Sequence, residues 1–350
     1  LAALGVGRPW LWTIALLGAS RFLDDRLLMP RTQALSLAFL LAGVAIARAG
    51  RPRWLLPLGF AFAWTYHLSA MLVPVALVVG LARADVRPAL WAALGVAAGF
   101  VLHPQSPRTL EFFWLHAVEK VLNPTGQAVG AEWMPTDTAT WLVHTAPVWL
   151  WAGWIALRAR GTAADTKALA LLAAGWLAAS CFAVKWLEYG VPFAMLALAS
   201  LWRDARASTL PLWLGVPLAV WNGQQALAHV RETLPPADRL APVAAALPAE
   251  GCRVFHADWT DFSELFFHAP QCALTVGLDP HFLSAGDPKR ARLVEAALAG
   301  QVERVGDMAA DAFGATHVLT TSEPMRARAA ADPRLELLVD EHGAQLWAVR

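Results

Sequence analysis

The chain has 350 residues, of which 57% are hydrophobic and only 16% are charged. Soluble domains average about 25% charged residues, and here the deficit is concentrated in the first 228 residues. The formal net charge of +1, with no basic stripe, argues against nucleic acid as a partner. The composition therefore predicts one lipid-embedded part and one soluble part.

Nine apolar runs in the first part predict membrane-spanning helices, although several lie at or below the lower length limit of about 17 residues. They are 8–20, 33–48, 54–68, 69–82, 88–102, 141–158, 168–184, 190–202 and 208–228. The region 54–82 could instead form a single tilted helix. Pro57, Pro74 and the polar stretch Thr65-Tyr66-His67 favour a pair of short helices.

The basic residues of the short connections predict the orientation of these helices. With two helices in 54–82, four basic loops share one side, which the positive-inside rule makes cytoplasmic. Their basic residues are Arg48, Arg51, Arg53, Arg83, Arg87, Arg158, Arg160, Lys167, Arg203 and Arg206. The loops 20–32, 103–140 and 184–190, and the whole of 229–350, are then expected on the outer side. Because the chain begins with Leu inside an apolar run, we expect it to be a fragment.

Beyond a connector at 229–247, strands alternate with helices, which is typical of a small α/β domain at 248–350. Strands are predicted at 252–257, 273–278, 316–321, 335–339 and 344–349, and helices at 260–268, 288–300, 307–313 and 324–331. The predicted fold class is a multi-span α-helical membrane domain followed by a small soluble α/β domain, Rossmann-like, with a mainly parallel sheet. The last two strands, separated by Glu341-His342-Gly343, look like a hairpin.

Acidic residues follow the first two strands of this domain. Asp258 and Asp279 stand at predicted carboxyl ends, where ligands bind in open α/β sheets, and Asp261 follows close behind. These carboxylates could line an outer-domain crevice for a metal ion or a sugar hydroxyl. The alternative is that they cap the next helix and shape a turn.

Two cysteines, Cys252 and Cys272, stand at or just before predicted strands. If these strands are parallel neighbours, the two thiols could form a disulfide in an oxidising compartment. The alternative is a pair of unpaired buried thiols.

The outer loops offer further candidate binding residues. Glu132 and Trp133 could hold a sugar, and Lys185 could pair with a lipid phosphate, with Glu188 beside it. The alternatives are an interfacial anchor and a simple pair between Lys185 and Glu188.

The first outer loop combines carboxylates with a cation. Asp24 and Asp25 could supply a base or ligate a divalent metal ion, and Arg31 could bind an anionic lipid headgroup or a pyrophosphate. The alternative is a self-neutralising cluster. The histidines lack the spacing of a zinc site, and no GxSxG, P-loop or GxGxxG motif is present.

Several segments carry a resemblance to a known family. They are Met29-Pro30-Arg31-Thr32-Gln33, His103-Pro104-Gln105-Ser106-Pro107, Val129-Gly130-Ala131-Glu132-Trp133, Glu188-Tyr189-Gly190-Val191-Pro192-Phe193, Ala257-Asp258-Trp259-Thr260-Asp261-Phe262 with Leu265-Phe266-Phe267, and Val276-Gly277-Leu278-Asp279-Pro280. The chain resembles bacterial polytopic membrane proteins of the GT-C glycosyltransferase superfamily, in the branch similar to dolichyl-phosphate-mannose protein mannosyltransferases, with a C-terminal extracytoplasmic domain.

The resemblance implies transfer of a sugar from a polyprenyl-phosphate donor to an acceptor, with inversion, at the outer face of the bacterial plasma membrane. The family's catalytic Asp lies in the first outer loop, which is expected upstream of residue 1. Arg31 and Lys185 would stabilise the departing lipid phosphate. The rival hypothesis is a non-catalytic membrane protein that binds lipid-linked sugars or assists cell-envelope assembly through its outer domain.

Overall fold

The structure is a computed structural model that describes residues 7–28, 32–119, 133–157, 162–205, 210–233, 238–277 and 279–350. The chain divides into two compact units, with the boundary between Thr233 and Leu234. We call the described residues up to Thr233 the helical unit, and those from Asp238 onward the α/β unit. The predicted connector began at residue 229, but the last helix of the helical unit continues to Thr233.

The helical unit is built from short helices joined by tight turns. In chain order they are α1 (Pro9–Leu17), α2 (Arg21–Leu28), α3 (Thr32–Arg48), α4 (Leu55–Thr65), α5 (Leu72–Leu81), α6 (Arg87–Val101), α7 (Arg108–Phe113), α8 (Thr138–Ala156), α9 (Ala164–Ser180), α10 (Leu187–Ala205) and α11 (Gly215–Thr233). A π-helical turn, Trp114–Glu119, follows α7. The apolar side chains of these helices form one large core, which includes Leu11, Leu40, Leu72 and Phe193.

Glycines allow α4 and α6 to pack at very short range. A Cβ atom added to Gly95 of α6 would lie 2.2 Å from the carbonyl oxygen of Leu56 in α4. Gly59 and Gly99 lie at the same contact, where an added Cβ would be 2.9 Å and 2.6 Å, respectively, from the nearest atom of the facing helix. The two backbones therefore touch where any side chain would hold them apart.

Among the helices in the described ranges, none is both long enough and apolar enough to cross a membrane. The predicted multi-span membrane domain is therefore wrong, and so are the predicted transmembrane helices and the plasma-membrane localisation. The runs 54–68 and 69–82 show the reason. They fold as α4, with 11 residues, and α5, with 10 residues. At 1.5 Å per residue each is about 15 Å long, half of the ~30 Å hydrocarbon layer.

The longest described helices are long enough to cross a membrane but are not apolar enough. α8, α10 and α11 have 19 residues each. α8 contains His144 and Pro147 among several Thr and Trp residues. α10 has Glu188 in its first turn and charged residues in its last turn, and α11 contains Asn, Gln, His, Arg and Glu. Apolar runs read from the sequence therefore correspond to core helices that pack on one another.

The α/β unit contains a five-stranded sheet. Its elements are α12 (Ala241–Ala245), β1 (Arg253–His256), α13 (Phe262–His268), β2 (Ala273–Leu274), α14 (Pro280–Gly286), α15 (Pro288–Leu298), α16 (Val305–Phe313), β3 (His317–Thr320), α17 (Glu323–Ala330), β4 (Leu335–Glu341) and β5 (Ala344–Val349). The strand order is β2-β1-β3-β5-β4.

The sheet is mixed, which corrects the predicted mainly parallel arrangement. β1 pairs in parallel with β2 and β3, whereas β5 is antiparallel to both β3 and β4. The turn between β4 and β5 supplies the reason. Its residues His342 and Gly343 have φ angles of 50° and 76°, the left-handed pair that closes a two-residue hairpin. This hairpin folds β5 back between β3 and β4.

Side chains alternate between the two faces of the sheet. Phe255 and Val318 belong to one apolar cluster, and Val254 and Leu319 belong to another. Cys252, next to β1, forms a disulfide with Cys272, next to β2, with their Cα atoms 4.8 Å apart. The parallel register of the two strands brings the two cysteines together, because Arg253 pairs with Ala273.

Candidate functional site

The residues singled out by sequence fall in three groups. Trp133 and Lys185 meet in the helical unit, where Glu188 lies in the first turn of the next helix, and the acidic residues after β1 and β2 lie at the sheet edge of the α/β unit. Arg31 and Glu132, together with the side chain of Asp25, lie outside the described residues.

A lysine and a tryptophan form the centre of the first group. The Lys185 Nζ atom lies 3.1 Å from the centroid of the Trp133 ring and 5.4 Å from that of Trp186. Lys185 is only 3% exposed, and Glu188, one helical turn away, is 7% exposed. An ammonium over an indole face is stabilised by the ring quadrupole, and the effect grows when water is excluded.

Further rings extend this contact into a continuous chain, which we call the aromatic cluster. Its members are Tyr66, His67, Phe112, His116, Trp133, Trp176, Trp186 and Tyr189. The closest centroids, of His67 and His116, are 4.4 Å apart, and His116 meets Trp133 edge-to-face at 5.5 Å. Phe112 is exposed, whereas Trp133 and Trp186 are half-buried.

Backbone geometry positions the two central side chains. The Val184 amide donates a hydrogen bond of 3.1 Å to the carbonyl of Met134, which places Trp133 beside the turn that carries Lys185. Tyr189 is fixed by a 2.8 Å hydrogen bond between its hydroxyl and Ser36 Oγ. The cluster thus joins segments that are far apart in sequence.

The cluster combines aromatic rings with charged side chains. Aromatic faces cover apolar surface, and a few placed polar groups fix orientation. Lys185 supplies a positive charge and Glu188 a carboxylate. The sequence indicated Lys185, Glu188 and Trp133 as candidates, but for the histidines it showed only that they lack the spacing of a zinc site. The approach of His67 and His116 across about 50 positions has no local sequence signal.

Asp24 was predicted to lie in an outer loop. Instead it lies in α2 and is 6% exposed. The segment around it is helical because Phe22 and Leu23 pack into the core of the helical unit. The expectation of an open acidic loop at residues 20–32 is therefore wrong for its helical part.

In the α/β unit, Asp258 and Asp279 adopt the capping geometry that was the alternative to a crevice. Asp258 Oδ1 accepts hydrogen bonds from the amide and hydroxyl of Thr260 at 2.9 and 2.7 Å. Asp279 Oδ1 accepts from the amide of His281 at 3.0 Å, at the start of α14. Both carboxylates thus satisfy backbone donors at helix starts.

Asp261 connects three parts of the α/β unit. It is 1% exposed and accepts hydrogen bonds from Thr321 Oγ1, at 2.7 Å, and from Arg239. Burial raises the pKa of its carboxyl group, and the hydrogen bond from Thr321 and the charge of Arg239 oppose that rise. The Nε atom of Arg239 also lies 3.7 Å from Oε2 of Glu264. This buried network ties the segment before α12 to the ends of β1 and β3.

His256 is a polar residue at the end of β1 that sequence reasoning passed over. It is fully buried, its Nε2 accepts from the Val276 amide at 3.4 Å, and its Nδ1 lies 3.2 Å from the carbonyl oxygen of Asp258. Burial lowers the pKa of its imidazole. The lowered pKa favours the neutral ring, whose two nitrogens hold the loops after β1 and β2 together.

The carboxyl ends of β1 and β3 form the topological switch point of the sheet, where ligands of such folds bind. Here His256, Asp258 and Asp261 use their polar atoms in hydrogen bonds to neighbouring protein groups. Thr320 Oγ1 is fully buried and lacks a partner in the described part of the chain. No three His, Cys, Asp or Glu residues within the described ranges are grouped to hold a metal ion.

Comparison of the sequence with protein-family models and with curated proteins finds no match. The resemblance to the GT-C superfamily therefore stays a prediction, and the geometry of the aromatic cluster carries the functional argument.

Proposed function

We propose that the helical unit binds a phosphate-linked sugar at the aromatic cluster. The observation that carries this proposal is the Lys185 Nζ atom, 3.1 Å from the Trp133 ring centroid and almost entirely buried. In this proposal half-buried Trp133 and Trp186 pack against the sugar, while Lys185 attracts the phosphate. Glu188 accepts a sugar hydroxyl.

Transfer of the bound sugar, as the resemblance implies, goes further than this binding proposal. It needs a carboxylate that deprotonates the acceptor, and Asp24 is buried in α2. The binding of a phosphate-linked sugar, including one linked to a prenyl chain, requires neither a membrane span nor catalysis.

The hydrogen-bonded acids of the α/β unit favour a non-catalytic role for that unit. Asp258 and Asp279 cap helices, and Asp261 is tied to Arg239 and Thr321. In our proposal this unit provides a scaffold for a partner or an acceptor.

Calorimetric titration with a hexose 1-phosphate, the free hexose and a short-chain prenyl-phosphate hexose tests the proposal. We expect Trp133→Ala to weaken binding of all three by at least about fivefold, because an aromatic contact contributes on the order of 1 kcal/mol beyond the area it buries. Lys185→Met should weaken only the two phosphate-containing ligands.

Matched controls are Trp221→Ala, at a 60% exposed tryptophan of α11, and Lys167→Met, at an exposed lysine of α9. Both should bind like the parent protein. Melting curves establish that the variants fold. Folded Trp133→Ala and Lys185→Met proteins with parental affinities would refute the proposal.

A further inference from the structure

A cavity of about 530 Å³ lies at one end of the helical unit. It is formed where α3 and α5 end and α6 begins, and its lining includes Gly50, Gly80, Arg83 and Arg87. Two of the basic loops that the sequence placed on one side of a membrane meet here. Since the membrane prediction is wrong, their charge requires another explanation.

Arginines outnumber carboxylates around this cavity. Arg48 and Arg83 share one carboxylate, Asp165 of α9, with Nε distances of 3.2 Å and 2.9 Å to its oxygens. Arg87 pairs with Asp85 at 2.8 Å. The Arg48–Asp165–Arg83 group therefore has one surplus positive charge, and exposed Arg51 and Arg53 lie on the adjoining loop.

Donors remain unused in this group. Arg48 Nη1 is buried and has no hydrogen-bond partner within the described residues. Arg83 uses its Nε, one Nη1 and one Nη2 donor on Asp165 and on the carbonyl of Arg48, which leaves two of the five guanidinium donors. Arg87 is 71% exposed, and its Nη1 is not engaged by Asp85.

The surrounding backbone is fixed before any ligand arrives. The Gly80 carbonyl accepts hydrogen bonds from the Arg83 and Asp85 amides at 2.8 and 3.0 Å. A Cβ on Gly80 would lie 2.2 Å from the carbonyl oxygen of Asp85, so only glycine permits this turn. Asp85, which also lines the cavity, caps the start of α6, because its Oδ1 accepts a hydrogen bond of 3.0 Å from the Arg87 amide. The charge available to a ligand therefore comes from the arginines.

We propose that this cavity, which we call the arginine cavity, binds a phosphate-type oxyanion, either free or as a phosphomonoester. Forked guanidinium donors match the oxygens of such an anion, and the surplus charge disfavours a cation. The hydrogen bonds from Arg83 lower the pKa of Asp165, which keeps it ionised as the partner that orients both arginines. The lining is distinct from the aromatic cluster.

Titration with inorganic phosphate and with glycerol 3-phosphate, at constant ionic strength, tests the proposal and distinguishes the two forms. The Lys185→Met protein serves as the background, so that phosphate binding at the aromatic cluster does not contribute. We expect saturable binding and a rise in melting temperature with phosphate. Tighter binding of glycerol 3-phosphate would assign the site to an ester, and tighter binding of phosphate would assign it to the free anion.

Arg87→Gln should weaken binding about tenfold, equivalent to about 1.4 kcal/mol, because it removes a charged hydrogen-bond donor. Arg87 is exposed, so this variant is expected to fold. Arg290→Gln, at an exposed arginine that pairs with Asp287 in the α/β unit, is the matched control and should bind like the background protein. Absence of saturable binding, or unchanged affinity in Arg87→Gln, would overturn the proposal.

Discussion

The imidazole of His256 lies at the end of β1 with no exposed surface and with both ring nitrogens engaged. Its lowered pKa arises mainly from burial. In the unfolded chain the same ring takes up a proton near its ordinary pKa of 6.5. The unfolded state therefore binds more protons below that pH, and the native state loses stability as the pH falls.

We expect the free energy of unfolding of the α/β unit to decrease as the pH falls below the ordinary imidazole pKa of 6.5, with a contribution from His256 of up to ~1.4 kcal/mol per pH unit. His256→Asn keeps a donor near the position of Nδ1 but does not titrate. The variant should show a flatter pH dependence, measured by urea unfolding. His342→Asn, in the exposed β4–β5 turn, is the control. Equal slopes in His256→Asn and the parent would contradict the assignment.

Asp261 acts with the opposite sign. Because burial raises the pKa of its carboxyl group, the native state holds a proton above the ordinary pKa of 3.8, and its contribution to stability falls as the pH rises through that window. Asp261 is present in both the parent and His256→Asn. Subtracting their free energies of unfolding at each pH therefore removes the contribution of Asp261.

For single residues, the sequence indicated roles that depend on near neighbours better than contacts between residues far apart in the chain. The caps of Asp258 and Asp279 follow from Asp-x-Thr and Asp-Pro, because a cap bonds to backbone only two residues away. Lys185 and Trp133 were each selected by type. Their contact depends on the path of the chain between them, which no local pattern encodes.

At the scale of elements, the close contact between α4 and α6 depends on glycines, which have no side chain to separate the two backbones. Gly95→Ala would place a methyl group 2.2 Å from the Leu56 carbonyl, so the helices must separate. We expect the helical unit to lose about 1–3 kcal/mol of stability, measured by thermal and urea unfolding.

The control for this prediction is Gly175→Ala in α9, where an added Cβ would have no atom within 4 Å. Alanine favours helix over glycine by about 0.5–1 kcal/mol, so this variant should be at least as stable as the parent. Equal effects of the two substitutions would show that close packing at Gly95 does not matter.

The sequence predicted most helices of the first unit but not their lengths. The polar stretch that suggested a break after residue 65 does end α4 there, and Tyr66 adopts an extended backbone conformation. The predicted runs 54–68 and 69–82 nevertheless exceed α4 and α5, because a short 3-10 helix, His67–Met71, lies between them and its residues were counted with the runs.

At the scale of the whole molecule, the two units have separate cores, and only the α/β unit contains a disulfide among the described residues. The Cys252–Cys272 bridge closes a loop with a sequence separation of 20. Loop-closure entropy predicts a contribution of about 3 kcal/mol.

The double variant Cys252→Ala/Cys272→Ala should therefore destabilise the α/β unit and spare the helical unit. Hydrogen exchange measured by mass spectrometry should accelerate in β1 and β3 but not in α10. Cys181→Ala, at the exposed free cysteine, is the control. Equal acceleration in both units would refute independent stability.

The sequence by itself determined the division into an apolar first part and an alternating α/β second part, since composition and periodicity are local properties. It also indicated the β4–β5 hairpin through its turn residues. Only the tertiary structure decided that the apolar runs are core helices, because a buried helix and a membrane helix share composition and differ in length and surroundings. It alone brought Lys185 to Trp133, and Arg48 and Arg83 to Asp165, since contacts between distant segments arise from packing.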